Sequence, residues 1–275
     1  MAKLNSLIRW LTYRGFFVRV ARALHLQGIL ETLYNRVMQP KGGISKASVR
    51  GIEAQFRVDQ PGELRIVEVI GSSRGGEHRL IELLFNVSQP GDTFYDIGAS
   101  IGTHSIFLAK FLGNNGRVVA FEPEPQSYQR FLANIALNQL TNIKVLPLAL
   151  GNEESIGTLK DEEGLGTYTL LPSLKEIKAG GIKIVRGDQL RQNLNLPIPQ
   201  VVKIDVEGFE FSVLQGLRLT LSDLGCRVVC YEYHKKLIPK ELGFKDFEEL
   251  MLSMGFQRHE INYRLGGFHV IWYKK

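Results

Sequence analysis

The stretch DTFYDIGASIGTHSIFLAKF, Asp92–Phe111, decides the fold. An apolar strand, TFYDI, runs into an acid, Asp96, then into two glycines four residues apart, Gly98 and Gly102, and then into a helix predicted over 103–112. Thr103 is able to cap that helix and Gly113 is placed to end it. A glycine-rich loop between strand and helix usually receives phosphate, because the helix start offers free N–H groups and the positive end of a dipole. Pyrophosphate fits poorly here. The spacing is G-x-x-x-G and not G-x-G-x-x-G, and the Asp96 carboxylate would repel an anion.

A ligand with a cation suits the loop better. S-adenosylmethionine (SAM) carries an ammonium beside a sulfonium, and an acid at the strand end can receive the ammonium directly or through water. Glycines then let the backbone approach the methionine chain and ribose. Glu122 supports this reading: it closes the next strand, RVVAFEP, 20 residues after Gly102, where an acid can accept both ribose hydroxyls. Asp96, Gly98, Ser100, Gly102, Glu122 and Pro123 are therefore the expected cofactor-binding residues.

Outward from this core the chain alternates strand and helix, the signature of a mostly parallel sheet covered on both faces. A helix is predicted over 125–139 with Tyr128, Phe131, Leu132 and Ile135 as its buried stripe. The strand IKVLPLAL follows, then short β-like pieces over 151–200 that read as an insertion over one sheet edge, on the substrate side. VVKIDV is a strand, 210–219 a helix, CRVVCYEY a strand and 247–254 a helix, and the tail around RLGG is a terminal hairpin. Upstream, IEAQFRV and LRIVEVI predict a hairpin, 77–86 a short helix, PKGGISK a linker, and 4–38 a helix with Leu4, Leu7, Ile8 and Leu11 on one stripe.

The net charge of +6 belongs to one end. Residues 1–50 hold nine Lys/Arg against the single acid Glu31, so the other 225 residues sum to −2. The division expected is a basic helical arm over 1–50 and a catalytic domain over 51–275, with the arm a candidate for peripheral membrane contact or a homodimer. Arginines interrupt the apolar start where a signal peptide would keep an unbroken run, and no stretch is long enough to span a bilayer, which predicts a cytoplasmic protein. Cys226 and Cys230, four apart on one predicted strand face, stand roughly 13 Å from each other and predict buried thiols, not a disulfide.

Three segments in order, GDTFYDIGASIGTHS, GRVVAFEPEPQSYQRFLANIALN and VVKIDVEGFEFSVLQGL, resemble the FkbM-type methyltransferases over about residues 75–235. The resemblance implies a Rossmann-like class I methyltransferase: an α/β fold whose mostly parallel seven-stranded sheet has helices on both faces and ends in an antiparallel hairpin. It also implies SAM-dependent O-methylation of a hydroxyl on a sugar, glycan, glycolipid or secondary metabolite. Ser100 stands where such proteins commonly carry Asn.

For the chemistry, Asp205 is the first candidate, because it ends a strand at the carboxyl edge where open α/β sheets bind ligands. Lys203, two residues earlier on the same face, is a further catalytic candidate, with a structural pair to Asp205 as the alternative or a role beside it, and His234, at the end of the neighbouring strand beside Glu232, is the second candidate for base or acceptor orientation. Asp205, Glu232 and His234 offer mixed donors, but no tight ligand spacing demands a metal and none is expected. His104 reads equally as pocket residue or solvated first turn, and Glu77 as a favourable helix-start acid. The acceptor expected is a small molecule or glycan. RNA is disfavoured by DVEGFE where base-methylating enzymes often carry a Pro-Pro-aromatic motif, and a non-catalytic role by the intact loop set.

Overall fold

Alternation along TFYDI sends Phe94 and Asp96 to one face and Tyr95 and Ile97 to the other, and all five are buried, as a central strand requires. The computed structural model describes residues 40–59, 61–73, 75–161, 168–173, 181–264 and 267–274. In it β1 (Ile44–Val49) and β2 (Ile52–Arg57) form a hairpin, followed by α1 (Pro61–Gly71), α2 (Gly76–Val87), β3 (Thr93–Ile97), α3 (Thr103–Leu112), β4 (Arg117–Phe121), α4 (Pro125–Leu137) and β5 (Ile143–Leu146). The insertion follows as β6 (Ala149–Gly151), β7 (Ser155–Asp161), β8 (Tyr168–Ser173) and β9 (Ile182–Arg186). The chain closes with α5 (Gly187–Asn193), β10 (Val201–Ile204), α6 (Glu210–Gly216), α7 (Arg218–Ser222), β11 (Val228–Tyr233), α8 (Phe244–Ser253), β12 (Gln257–Arg264) and β13 (Gly267–Tyr273).

The main sheet has seven strands in the order β12-β13-β11-β10-β3-β4-β5. Five are parallel, and β13 runs antiparallel between β11 and β12. The order reverses between β3 and β10, which opens a crevice at their carboxyl ends. One core layer packs Phe94, Val118, Val201 and Cys230 against α1, α2 and α3; the other packs Tyr95, Val202, Tyr231 and Trp272 against α6, α7 and α8. Among the described residues no helix is long and apolar enough to cross a membrane.

Several expectations need correction. LRIVEVI lies in α1, not a strand, burying Leu64, Val67 and Ile70 at helical spacing. Part of the predicted linker is strand: after a 3₁₀ turn at Lys41–Gly43, β1 pairs with β2 through a turn in which Arg50 (φ 50°) and Gly51 (φ 81°) are both left-handed. A boundary at residue 50 would cut this hairpin. In α4, Leu132 is 38% exposed while Asn134 is fully buried. The Asn134 amide accepts from Arg57 N at 2.8 Å and donates to Ile101 O at 2.9 Å, so it satisfies the open edge of β2 and steadies the glycine loop. The helix predicted over 210–219 breaks at Leu217 into α6 and α7. Cys226 precedes β11 and sits in the opposite core layer from Cys230; both are buried and free. The helix predicted over 4–38 lies outside the described residues, as does most of the basic arm over 1–50.

The insertion forms its own four-stranded sheet, ordered β6-β9-β7-β8. It docks on α6, where Asn152 N donates to Ser212 Oγ at 3.1 Å and Ser212 Oγ donates back to Asn152 Oδ1 at 3.0 Å.

Candidate active site

The loop after β3 carries three left-handed residues, Gly98 (φ 77°), Ser100 (φ 50°) and Gly102 (φ 85°). A Cβ at Gly98 would lie 1.9 Å from the Asp205 carbonyl oxygen, and one at Gly102 2.0 Å from the Phe131 ring. Both glycines are thus demanded by chain packing as well as by backbone conformation. Thr103 is the first residue of α3, not its cap; Gly102 occupies the cap position without a side-chain bond.

Ser100 is the strained member. A side chain in the left-handed region costs about 1–2 kcal/mol, and Asn tolerates it better. Ser100→Asn is therefore expected to stabilise the protein by about 0.5–1 kcal/mol, read as a higher denaturant midpoint at unchanged slope. A lower midpoint would mean that the serine hydroxyl has a role at this turn.

Glu122 holds the loop from the next strand. Its carboxylate accepts Ser100 N at 2.6 Å and Glu124 N at 2.8 Å, with Pro123 half-buried between the two glutamates. Burial, only partly offset by those backbone bonds, pushes Glu122 up to about 7.

Asp96 is turned into the protein and fully buried. Ser105 Oγ donates to its Oδ2 at 2.7 Å, and Lys203 Nζ lies 3.4 Å from its Oδ1. The reason is register: β10 aligns Lys203 beside Asp96 on the same sheet face. Lys203, also buried, donates to Gly98 O at 3.1 Å and reaches Asp205 Oδ2 at 3.5 Å. Burial opposes its charge, but Asp96 and Asp205 more than restore it and hold its pKa above that of an ordinary lysine. Lys203 is therefore a fixed cation that ties loop, β3 and β10 together.

Beyond it the edge becomes acidic. Asp205 and Glu207 have side chains 24% and 27% exposed, and Glu232 ends β11 on the same side. His234 sits among them: its Nδ1 meets buried Glu210 Oε1 at 2.8 Å, and its Nε2 faces Glu207 Oε2 at 3.2 Å, Glu232 Oε1 at 3.7 Å and Asp205 Oδ1 at 3.8 Å. Burial would lower the imidazole, but the Glu210 bond and the charges of Asp205, Glu210 and Glu207 outweigh it and carry His234 up to about 10. At neutral pH it is a cation and not a proton acceptor. Burial would raise Asp205, yet Lys203, His234 and His269 hold its carboxyl below the ordinary range. Burial pushes Glu207 up to about 7 against the pull of His234.

Sequence reasoning placed Asp205, Lys203 and His234 at one sheet edge, and the three do meet there. It gave no role to Glu207 or Glu210. Glu210 accepts Val206 N at 3.3 Å and Gly208 N at 3.1 Å, pinning the loop, and Glu207 (φ 50°) beside Gly208 (φ 98°) forms a left-handed pair that turns the glutamate towards His234. The signal was the Glu-Gly dipeptide directly after a strand end. Glu77 and His104 also arrive here, paired at 3.1 Å, with Glu77 within electrostatic reach of Lys203 and Asp205.

The same segments match known proteins. A family model described as the methyltransferase FkbM domain matches residues 96–265. The hexuronic acid methyltransferase AglP of Haloferax volcanii is 30% identical over 196 residues, which are 71% of this chain and 77% of that protein. Methyltransferase 1 of Beauveria bassiana is 25% identical over 188 residues, 61% of this chain and 73% of its own. Among solved structures, precorrin-6y C5,15-methyltransferase from Geobacter metallireducens GS-15 aligns with 74% of this chain and 89% of its own at 15% identity and a TM-score of 0.46. With the family match extending from the glycine loop to the terminal hairpin and a 30% identical relative spanning most of both chains, the chain belongs to the FkbM methyltransferase family.

Proposed function

We propose that this enzyme transfers a methyl group from SAM to a hydroxyl of a sugar, with uronic acids and the glycans that contain them as the first acceptors to test. The observation that carries this reading is the continuous edge from the glycine loop to the partly exposed acids Asp205 and Glu207. The hexuronic acid named for the Haloferax relative supports the acceptor class.

The donor set suits SAM. Each Glu122 oxygen accepts one backbone N–H and has a second lone pair left for a ribose hydroxyl. Asp96 is enclosed, so the ammonium is better served by Glu77, which lies beside His104 at the start of α3. Bound SAM supplies an electrophilic methyl carbon on a sulfonium. The residues of this chain then have three tasks: to hold the acceptor oxygen in line with that carbon, to keep water from the reacting atoms, and to receive the hydroxyl proton on the carboxylates around His234.

Thermal shift tests cofactor choice. SAM and its demethylated product are expected to raise the melting temperature while NAD and ATP do not, and Glu122→Gln is expected to weaken that shift. If the ribose hydroxyls donate to ionised Glu122, SAM affinity falls as pH drops below about 7, where this raised carboxyl takes up its proton. Equal stabilisation by NAD would sink the cofactor assignment. For the acceptor, hexuronic acids and oligosaccharides containing them are incubated with labelled SAM and the label is located by mass spectrometry. Transfer to neutral sugars alone would move the acceptor class away from uronic acids.

A further inference from the structure

The acids around His234 form a donor cage as well as a charged edge. One ligand atom each from Asp205, Glu207 and His234 lies within 4.8 Å of the others. In an octahedral shell with bonds of about 2.1 Å, neighbouring donors stand about 3 Å apart. His234 Nε2 is 3.2 Å from Glu207 Oε2 and 3.8 Å from Asp205 Oδ1, so modest side-chain movements close the set around an ion. The imidazole is also aimed. Buried Glu210 takes the Nδ1 proton at 2.8 Å and is itself held by the amides of Val206 and Gly208, an arrangement that fixes ring orientation and directs Nε2 into the cage, where a bound cation would take the place of the Nε2 proton. Carboxylates behind the far nitrogen of a histidine are a recurring support of metal ligands. The set differs from the Asp205, Glu232 and His234 trio considered from sequence, because the left-handed turn at Glu207 delivers a nearer carboxylate.

We propose that Asp205, Glu207 and His234 bind one divalent cation of the Mn²⁺ or Mg²⁺ type, and that this cation takes up the acceptor hydroxyl beside the methyl donor. Two carboxylates with one imidazole favour such an ion over the softer metals, which prefer thiolate or several imidazoles. The inference rests on the methyl-transfer reading for its chemistry. There the acceptor O–C bond forms as the methyl C–S bond breaks, with the C–S electron pair going to sulfur. The hydroxyl proton passes to Glu232, the remaining carboxylate that faces His234 Nε2, at 3.7 Å. A uronic acid acceptor gains from the arrangement, since its own carboxylate would otherwise meet an edge of like charge.

Full-length protein stripped with chelator is titrated with MnCl₂ near neutral pH, and free Mn²⁺ is followed by electron paramagnetic resonance. Saturable binding of one ion per chain is expected, weakened about tenfold or more in Glu207→Gln and in Asp205→Asn, and unchanged in Glu153→Gln, an exposed glutamate outside the cage. Circular dichroism of each metal-free variant confirms folding. Absence of saturable binding, or binding indifferent to both cage variants, overturns the proposal. SAM-induced thermal shift on the same samples separates the two readings: a shift without Mn²⁺ binding removes the cation and leaves methyl transfer from SAM standing, while Mn²⁺ binding without any shift removes the SAM reading.

Discussion

Asp205→Asn is expected to keep SAM affinity within a few-fold and to lose about two to four orders of magnitude in methyl transfer, the scale of a group that orients the acceptor's hydroxyl and prepares its deprotonation. Asn preserves the volume and one oxygen but removes the charge that faces Lys203 at 3.5 Å and His234 at 3.8 Å. Because the side chain is about a quarter exposed and Lys203 keeps Asp96 as its partner, folding should survive. Melting temperature, SAM affinity and turnover measured on this one variant separate the alternatives. A large fall in stability together with activity would make the Lys203 pair the main role of Asp205, and near-normal turnover would remove it from the chemistry. His234 does not become the proton acceptor in that event, since its carboxylate neighbours favour the charged ring without a cation and Nε2 is occupied with one.

What was legible in the sequence follows from how local its cause is. Strand 93–97 and helix 103–112 were read to the residue, because an apolar strand, a glycine turn and a largely apolar helical segment closed by Gly113 each declare themselves within a few positions. LRIVEVI misled for the same reason: its β-branched residues favour a strand locally, yet packing on β1 and α2 with Leu64, Val67 and Ile70 inward overrides that preference. Leu132 fell outside the buried stripe expected of it, while Asn134 is buried where the edge of β2, about 80 residues upstream, needed a partner for its backbone. At the site, the positions of Asp205 and His234 were legible as strand ends. The use of Asp96 was not, since its carboxylate is claimed by a lysine more than 100 residues away that only the β3–β10 register brings alongside.

That lysine carries the largest stability effect expected here. Lys203→Met keeps the length of an unbranched side chain and deletes the charge lying 3.4 Å from Asp96 Oδ1, 3.5 Å from Asp205 Oδ2 and 3.1 Å from Gly98 O. Asp205 can turn towards water, but Asp96 is fully enclosed and its Oδ1 has no hydrogen bond. Stranding one member of a buried ion pair typically costs about 3–5 kcal/mol, more than the pair itself contributes over an apolar replacement. The variant should therefore unfold at much lower denaturant, and the glycine loop, having lost the Gly98 bond, should bind SAM more weakly as well. Adding Asp96→Asn removes the stranded charge, so the double variant should regain a large part of the lost stability while SAM affinity stays low. Two-state denaturant unfolding of the single and double variants measures the coupling directly. A cost below about 1 kcal/mol for Lys203→Met, with no recovery in the double variant, would mean that water reaches Asp96 and that the ion bridge does not organise this edge of the sheet.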